Sequence, residues 1–190
     1  MARPRRFDED RAVDAAMRAF WATGYEGTST QALCEATGLG RSSIYNTFAG
    51  KHELFERALR HYMTTKNDSI FALLDGDAPA RERIRALLRQ PVDAPEDDPL
   101  GCLVVNSLVE LAPRDPEVAA ILSADEDRRL DAIAEVIRSG QRDGDFDKTR
   151  DARELAQFVT AIIGGMRVSA RGGATRDTLA AIAKTALNAL

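Results

Sequence analysis

At 190 residues and 44% hydrophobic content, the chain can hold one large helical domain, or a small domain packed on a larger one, with an ample core. A net charge of −4 excludes a protein that coats nucleic acid along its whole surface, but residues 1–65 carry 9 Lys/Arg against 8 Asp/Glu, whereas 66–190 carry 17 against 22. No apolar run is long enough to span a bilayer, no signal-peptide pattern follows the basic start, and Cys34 and Cys102 lie in separate segments, so a reduced, cytoplasmic chain without a disulfide is expected.

Met1–Arg6 holds three Arg and reads either as a solvated terminus or as an arm reaching phosphates or a minor groove. Phe7 to Ala22 follows as a helix, with Val13, Ala16, Met17 and Phe20 at helical spacing and Asp8, Glu9 and Asp10 at its N-terminal end. Gly24-Tyr25-Glu26-Gly27 is a turn. Thr28 followed by Gln31 fits a capping box, which predicts a helix starting just after Thr28. Gly38 suits the left-handed residue that ends this helix, and Gly40 is expected to let the chain swing into the next one. Leu33, Leu39, Ile44 and Phe48 are spaced to point inward, leaving Arg41, Ser42, Ser43, Tyr45 and Asn46 outside. No acidic residue occurs from Ala36 through His52. A short exposed helix carrying hydroxyls, an amide, a phenol and flanking Arg and Lys suits a DNA major groove.

Thr28-x-Thr30 together with Gly38-Leu39-Gly40-Arg41-Ser42-Ser43-Ile44-Tyr45-Asn46-Thr47-Phe48-Ala49-Gly50-Lys51-His52-Glu53-Leu54 resembles the helix-turn-helix of the TetR family of one-component bacterial repressors. The departures are Gly40, where the family often has a Ser cap, and Thr47, where it often has an aromatic. The resemblance implies an N-terminal three-helix DNA-binding domain and a C-terminal helical domain for ligand binding and dimerisation. It also implies sorted roles at the DNA. Arg41, Ser42, Ser43 and Asn46 would face base edges or nearby phosphates, with Asn46 suited to an amide-to-adenine contact. Tyr45, Thr28, Thr30 and Lys51 would mostly hold phosphates and set register.

Lys51 begins a fourth helix, in which Leu54, Phe55, Ala58, Leu59, Tyr62 and Met63 repeat at three and four; the pattern resumes at Ile70, Phe71, Leu73 and Leu74. Asp75 to Pro79 breaks it, Arg81 to Arg89 is a short amphipathic helix, and Pro91 to Pro99 is an acidic, proline-rich loop. Asp98-Pro99 carries a helix-start signal, and Leu100 to Leu111 is apolar nearly all round, which predicts a buried helix with Cys102, Asn106 and Glu110 as one polar stripe. Glu117 to Ser139 reads as a long helix with Val118, Ile121, Leu122, Leu130, Ile133, Val136 and Ile137 inward, and Gly140 to Asp147 as a turn. Two helices close the chain around Arg171-Gly172-Gly173-Ala174. Leu155, Phe158, Val159, Ile162, Ile163 and Met166 stripe the first; Leu179, Ile182, Ala183, Ala186, Leu187 and Leu190 stripe the second.

These patterns predict an all-α chain. Residues 1–50 form the DNA-binding domain, extending in the family to about residue 65 through the fourth helix, and 51–190 form the second domain. The closing pair predicts a homodimer through Leu155, Val159, Ile162, Ile163, Leu179, Ile182, Ala186 and Leu187, or else simply closes its own core. A small, hydrophobic or electrophilic effector would bind near Cys102, Asn106, Glu110, Phe158 and Met166. Cys102 is either a small core residue or a thiol sensor, as in family members with a segment similar to Gly101-Cys102-Leu103. Catalysis finds no motif: HExxH, CxxC, P-loop and GxGxxG are absent, and His52 and His61 lack a triad-like spacing. Asp75, Asp77 and Asp125-Glu126-Asp127 read as solvated charge, so no metal and no cofactor is expected. Two rivals stand beside the ligand-responsive repressor released from a palindromic operator: a helical enzyme with Cys102 as nucleophile, and a DNA-independent helical adaptor.

Overall fold

The computed structural model describes residues 4–190, with side chains described from Glu9 onward. Of the basic N-terminal arm, Met1–Arg3 and the side chains of Arg5 and Arg6 lie outside the described residues; the backbone from Pro4 is already helical. The described elements are all α-helices, in the order α1 (Pro4–Thr23), α2 (Thr30–Thr37), α3 (Arg41–Phe48), α4 (Lys51–Leu74), α5 (Ala80–Arg89), α6 (Leu103–Glu110), α7 (Pro116–Asp143), α8 (Ala152–Arg171) and α9 (Arg176–Asn188). Because α1 starts at Pro4, Asp8, Glu9 and Asp10 fall beyond its first turn rather than at its N-terminal end. No helix among the described residues is long and apolar enough to cross a membrane.

Two compact units emerge, and they do not divide the chain at residue 50. The first comprises residues 1–65 and 103–122; the second comprises 66–102 and 123–190. The physical reason is burial. A three-helix unit of this size, with α2 and α3 only eight residues each, cannot cover its apolar faces alone, and α6 returns to do so in the first unit. Phe20, Leu33, Ile44, Phe48, Leu54 and Leu59 are all fully buried there, alongside Leu103 and Val118 from the returning segment. Phe20, Tyr25 and Phe55 form an aromatic cluster, with Phe20 edge-on to Phe55 at 5.1 Å and Tyr25 edge-on to Phe55 at 5.0 Å between ring centroids.

The returning segment departs from expectation in two ways. Helix α6 begins at Leu103, not behind Asp98-Pro99; Asp98 instead accepts from Lys66 Nζ at 3.1 Å. It is also not buried all round, because an eight-residue helix lying on one surface covers one face only. Leu108 and Val109 on its other face are 41% and 76% exposed in the protomer.

In the second unit, α5, α7, α8, α9 and the end of α4 enclose a continuous core that includes Leu74, Ile84, Leu88, Ile137, Val159 and Leu179. Here α7 runs through Gly140 to Asp143, so the expected turn starts only at Gly144, whose φ of 89° is left-handed. Gly140 is a packing residue. A Cβ there would lie 2.5 Å from Phe146 Cδ2 and 2.8 Å from Ala80 Cβ. Gly140→Ala should therefore destabilise the chain by about 1–2 kcal/mol in urea unfolding, the overpacking exceeding the roughly 1 kcal/mol that alanine contributes to an unhindered helix. A more stable variant would contradict this packing.

Candidate nucleic-acid interface

Helices α2 and α3 are each eight residues long, too short to persist without packing. Their ends are fixed locally. Ser29, not Thr28, caps α2, its hydroxyl accepting from Ala32 N at 3.1 Å, while Gln31 donates to Glu35 at 3.1 Å instead of closing a capping box. Gly38 ends α2 in the left-handed conformation at φ 70°, its N–H donating to the Cys34 carbonyl. Gly40 is extended at φ −68° and makes no use of glycine's freedom; the left-handed residue at the far end of α3 is Ala49, at φ 54°. Ile44 and Phe48 anchor α3 on its buried face. Arg41, Ser42, Ser43, Tyr45 and Asn46 are exposed on the other, and Tyr45 keeps 49% of its surface.

Residues behind this face hold it in place. Thr28 is 1% exposed; its hydroxyl donates to the Gly24 carbonyl at 2.6 Å and lies 2.6 Å from the Thr23 hydroxyl. The expectation that Thr28 grips a phosphate is corrected by this burial, since its polar atom is committed to the turn between α1 and α2. Thr28→Val should cost about 1–3 kcal/mol in chemical unfolding by leaving a buried carbonyl unsatisfied, and Thr28→Ser should restore most of it. Thr30 is half-buried at the start of α2, near backbone N–H groups that suit an anion. Lys51 is half-buried, its Nζ 4.3 Å above the Tyr25 ring, so its ammonium is held at the start of α4. Burial, then the charges of Glu26 and Asp115, raises the Tyr25 phenol pKa and keeps the ring neutral beneath it.

The turn before α2 is tied down by Glu110, whose carboxylate accepts from Tyr25 N at 2.9 Å and Glu26 N at 2.7 Å. Gly24, at φ 80°, permits this approach; a Cβ there would sit 2.8 Å from Glu110 Oε2. Asp115 caps the start of α7, Oδ1 accepting from Glu117 N and Val118 N, while Oδ2 lies 2.7 Å from His52 Nε2. That hydrogen bond is the main cause of a raised His52 pKa and of a lowered Asp115 pKa, opposite shifts that both favour the charged pair.

The whole arrangement has relatives. Residues 12–58 match the family model described as bacterial regulatory proteins, tetR family, and residues 80–187 match the model of a tetracyclin repressor-like C-terminal domain. The HTH-type transcriptional repressor ComR of Escherichia coli (strain K12) is 32% identical over 97% of this chain and 90% of its own. The chain belongs to the TetR family of bacterial regulators. It is a transcription regulator rather than an enzyme. The repressor BdcR of the same organism is 27% identical over 99% of this chain and 91% of its own. Among solved structures, a cysteine mutant of the TetR-family regulator CifR, complexed with 26-base-pair operator DNA, is 38% identical. It matches over 98% of this chain and 99% of its own, with a TM-score of 0.86.

This TetR-family chain distributes its other expected site residues differently from the sequence reading. Cys102 precedes α6 and belongs to the second unit, whereas Asn106 and Glu110 belong to the first. Asn106 Nδ2 donates to the Trp21 carbonyl at 3.4 Å and Glu110 holds the α1–α2 turn, so both dock α6 onto α1. Met166 is buried at 1% and Phe158 packs against the same core. Of the expected dimer residues, Leu155, Val159, Leu179, Ala186 and Leu187 are buried within the protomer, because α8 and α9 first pack against α5 and each other. Ile162, Ile163 and Ile182 are only partly covered, and Val168, which the stripe pattern had not singled out, is 56% exposed. The sequence did carry a sign of the α7 cap: Asp115-Pro116 is the same helix-start pair as Asp98-Pro99.

Proposed function

We propose that this regulator is a repressor that binds a palindromic operator as a homodimer, with α3 of each protomer in a major groove. The observation that carries the reading is the exposed face of α3, where Arg41, Ser42, Ser43, Tyr45 and Asn46 stand out from a helix anchored by Ile44 and Phe48. Similarity to the CifR complex with operator DNA supports it. Asn46, Arg41, Ser42 and Ser43 read base edges, while Tyr45, Thr30 and Lys51 fix register on phosphates. Residues 1 to about 65 serve DNA binding and the rest serves dimerisation and effector binding. The dimer forms through the partly covered edge of α8 and α9, namely Ile162, Ile163, Val168 and Ile182. A small hydrophobic or electrophilic effector releases the operator by binding one arrangement of the dimer better than the other; the C-terminal family match supports this half.

The test is anisotropy titration against the DNA flanking the protein's own gene and against single-base variants of it. Asn46→Ala should lose about 1–3 kcal/mol of discrimination at one base position. Lys51→Ala should weaken all sequences alike and reduce the salt slope by about one. Equal preference in the parent and Asn46→Ala would refute α3 as the reader. Unchanged oxidant and effector responses in Cys102→Ser would remove the thiol from the release step.

A further inference from the structure

We propose that His52, Glu56 and Glu117 form a binding site for a divalent cation of the zinc class, with Asp115 orienting the imidazole. All four residues lie in the first unit. His52 and Glu56 are one turn apart on α4, and Glu117 stands in the first turn of α7. One ligand atom from each of the three lies within 4.8 Å of the other two.

Three features separate this cluster from an ordinary surface ion pair. First, the imidazole is pre-oriented. Asp115 is fixed as the α7 cap through Oδ1, and its Oδ2 holds His52 Nε2 at 2.7 Å, which leaves Nδ1 on the side of Glu56. A carboxylate behind a histidine is the usual outer support of a metal-bound imidazole. Second, His52 Nδ1 and Glu56 Oε1 are 3.6 Å apart, too far for a good hydrogen bond. Two ligands at about 2.1 Å from one tetrahedral ion sit about 3.4 Å from each other, so the gap fits a shared cation. Third, three carboxylates surround one imidazole. Even protonated, His52 leaves the group at −2; a divalent ion on a neutral imidazole leaves it at −1.

Arg57 and Arg60 line the same groove with Glu53. Arg57 is already paired with Glu53 at 3.1 Å, and guanidinium groups cannot ligate a metal. One imidazole with two carboxylates favours zinc-like ions over magnesium, which takes oxygen ligands. Glu117 is exposed and reaches the ion by a rotamer change; water completes the shell. On binding, Nδ1 must lack its proton, which is released to solvent. The ion would then tie the first turns of α4 to the first turn of α7. The site does not depend on DNA contact.

The experiment is calorimetric titration of the tag-free, metal-stripped full chain, carrying Cys34→Ser and Cys102→Ser to remove competing thiols, with zinc chloride at neutral pH. One zinc per chain should bind. Glu56→Gln and Glu117→Gln should each weaken it at least about tenfold, and Asp115→Asn roughly 10–100-fold through the imidazole. Glu53→Gln, in the same groove, should leave affinity unchanged, and magnesium should not compete. Because Glu117 is exposed, its variant keeps the fold intact and isolates ligation from stability. Absence of saturable binding, binding indifferent to Glu56→Gln and Glu117→Gln, or equal binding of magnesium would overturn the proposal.

Discussion

Phe20→Ala is expected to lower the unfolding free energy by about 3–5 kcal/mol and to remove DNA binding under conditions where the parent chain binds. Phe20 is fully buried, and its ring meets Phe55 at 5.1 Å and Tyr25 at 6.0 Å. Tyr25 in turn carries Lys51 above its face and contacts His52 edge-on at 6.1 Å. Truncating Phe20 opens a cavity beneath the very ring that seats the start of α4. Both the aromatic contacts and the buried area are lost, and neither α2 nor α3 has enough length to stand alone. Phe20→Leu, which retains most of the volume, should cost well under half as much and keep operator binding. Guanidinium unfolding of the two variants beside the parent checks the ordering; an alanine variant as stable as the leucine variant would sink this account of the core.

Asp125→Ala should be similarly costly, about 3–5 kcal/mol, for a different reason. The acidic run Asp125-Glu126-Asp127 reads in sequence as solvated charge, yet Asp125 is only 6% exposed. One carboxylate oxygen accepts from Asn67 Nδ2 at 2.5 Å, and the other pairs with Arg129 at 3.1 Å. Removing the carboxylate leaves a largely buried guanidinium and a buried amide without their acceptor. Asn67→Ala, which removes a neutral partner, should cost less, about 1–3 kcal/mol. Restoring neutrality with Asp125→Leu plus Arg129→Leu should recover much of the loss, because the pair's own net contribution is small. Thermal and urea unfolding of the three variants decides it: single and double variants of equal stability would mean that the uncompensated charge is not the cause.

The two cases mark what was legible in the chain. Elements whose determinants are local could be read directly. The left-handed Gly38, the α3 face with Ile44 and Phe48 inward, the start of α4 at Lys51, and the α8–α9 pair all follow from spacing within a few residues. The misread features depend on partners far away in sequence. Glu110 binds Tyr25 N across 85 residues, and Asn67 meets Asp125 across 58, so neither the docking role of α6 nor the burial of Asp125 leaves a local pattern. At Thr28 the competition is local. Thr28 and Ser29 are both good caps, and the choice between them is made by the Thr23 and Gly24 groups that draw Thr28 inward. The apolar stripes of α8 and α9 cannot declare which side faces core and which faces a partner. Burial within the protomer assigns Leu155, Val159, Leu179, Ala186 and Leu187 to the core and leaves Ile162, Ile163 and Ile182 at the edge.

The most direct test of the central claim is a footprint of the full chain on the DNA beside its own gene, combined with the protomer count of the complex. Two protomers should protect two inverted half-sites spaced by one helical turn, about 10–10.5 base pairs, or a multiple of it, and Asn46→Ala should erase or shift both protections together. A single protomer on one unpaired site, or a footprint unchanged by Asn46→Ala, would contradict a two-fold reader built on α3.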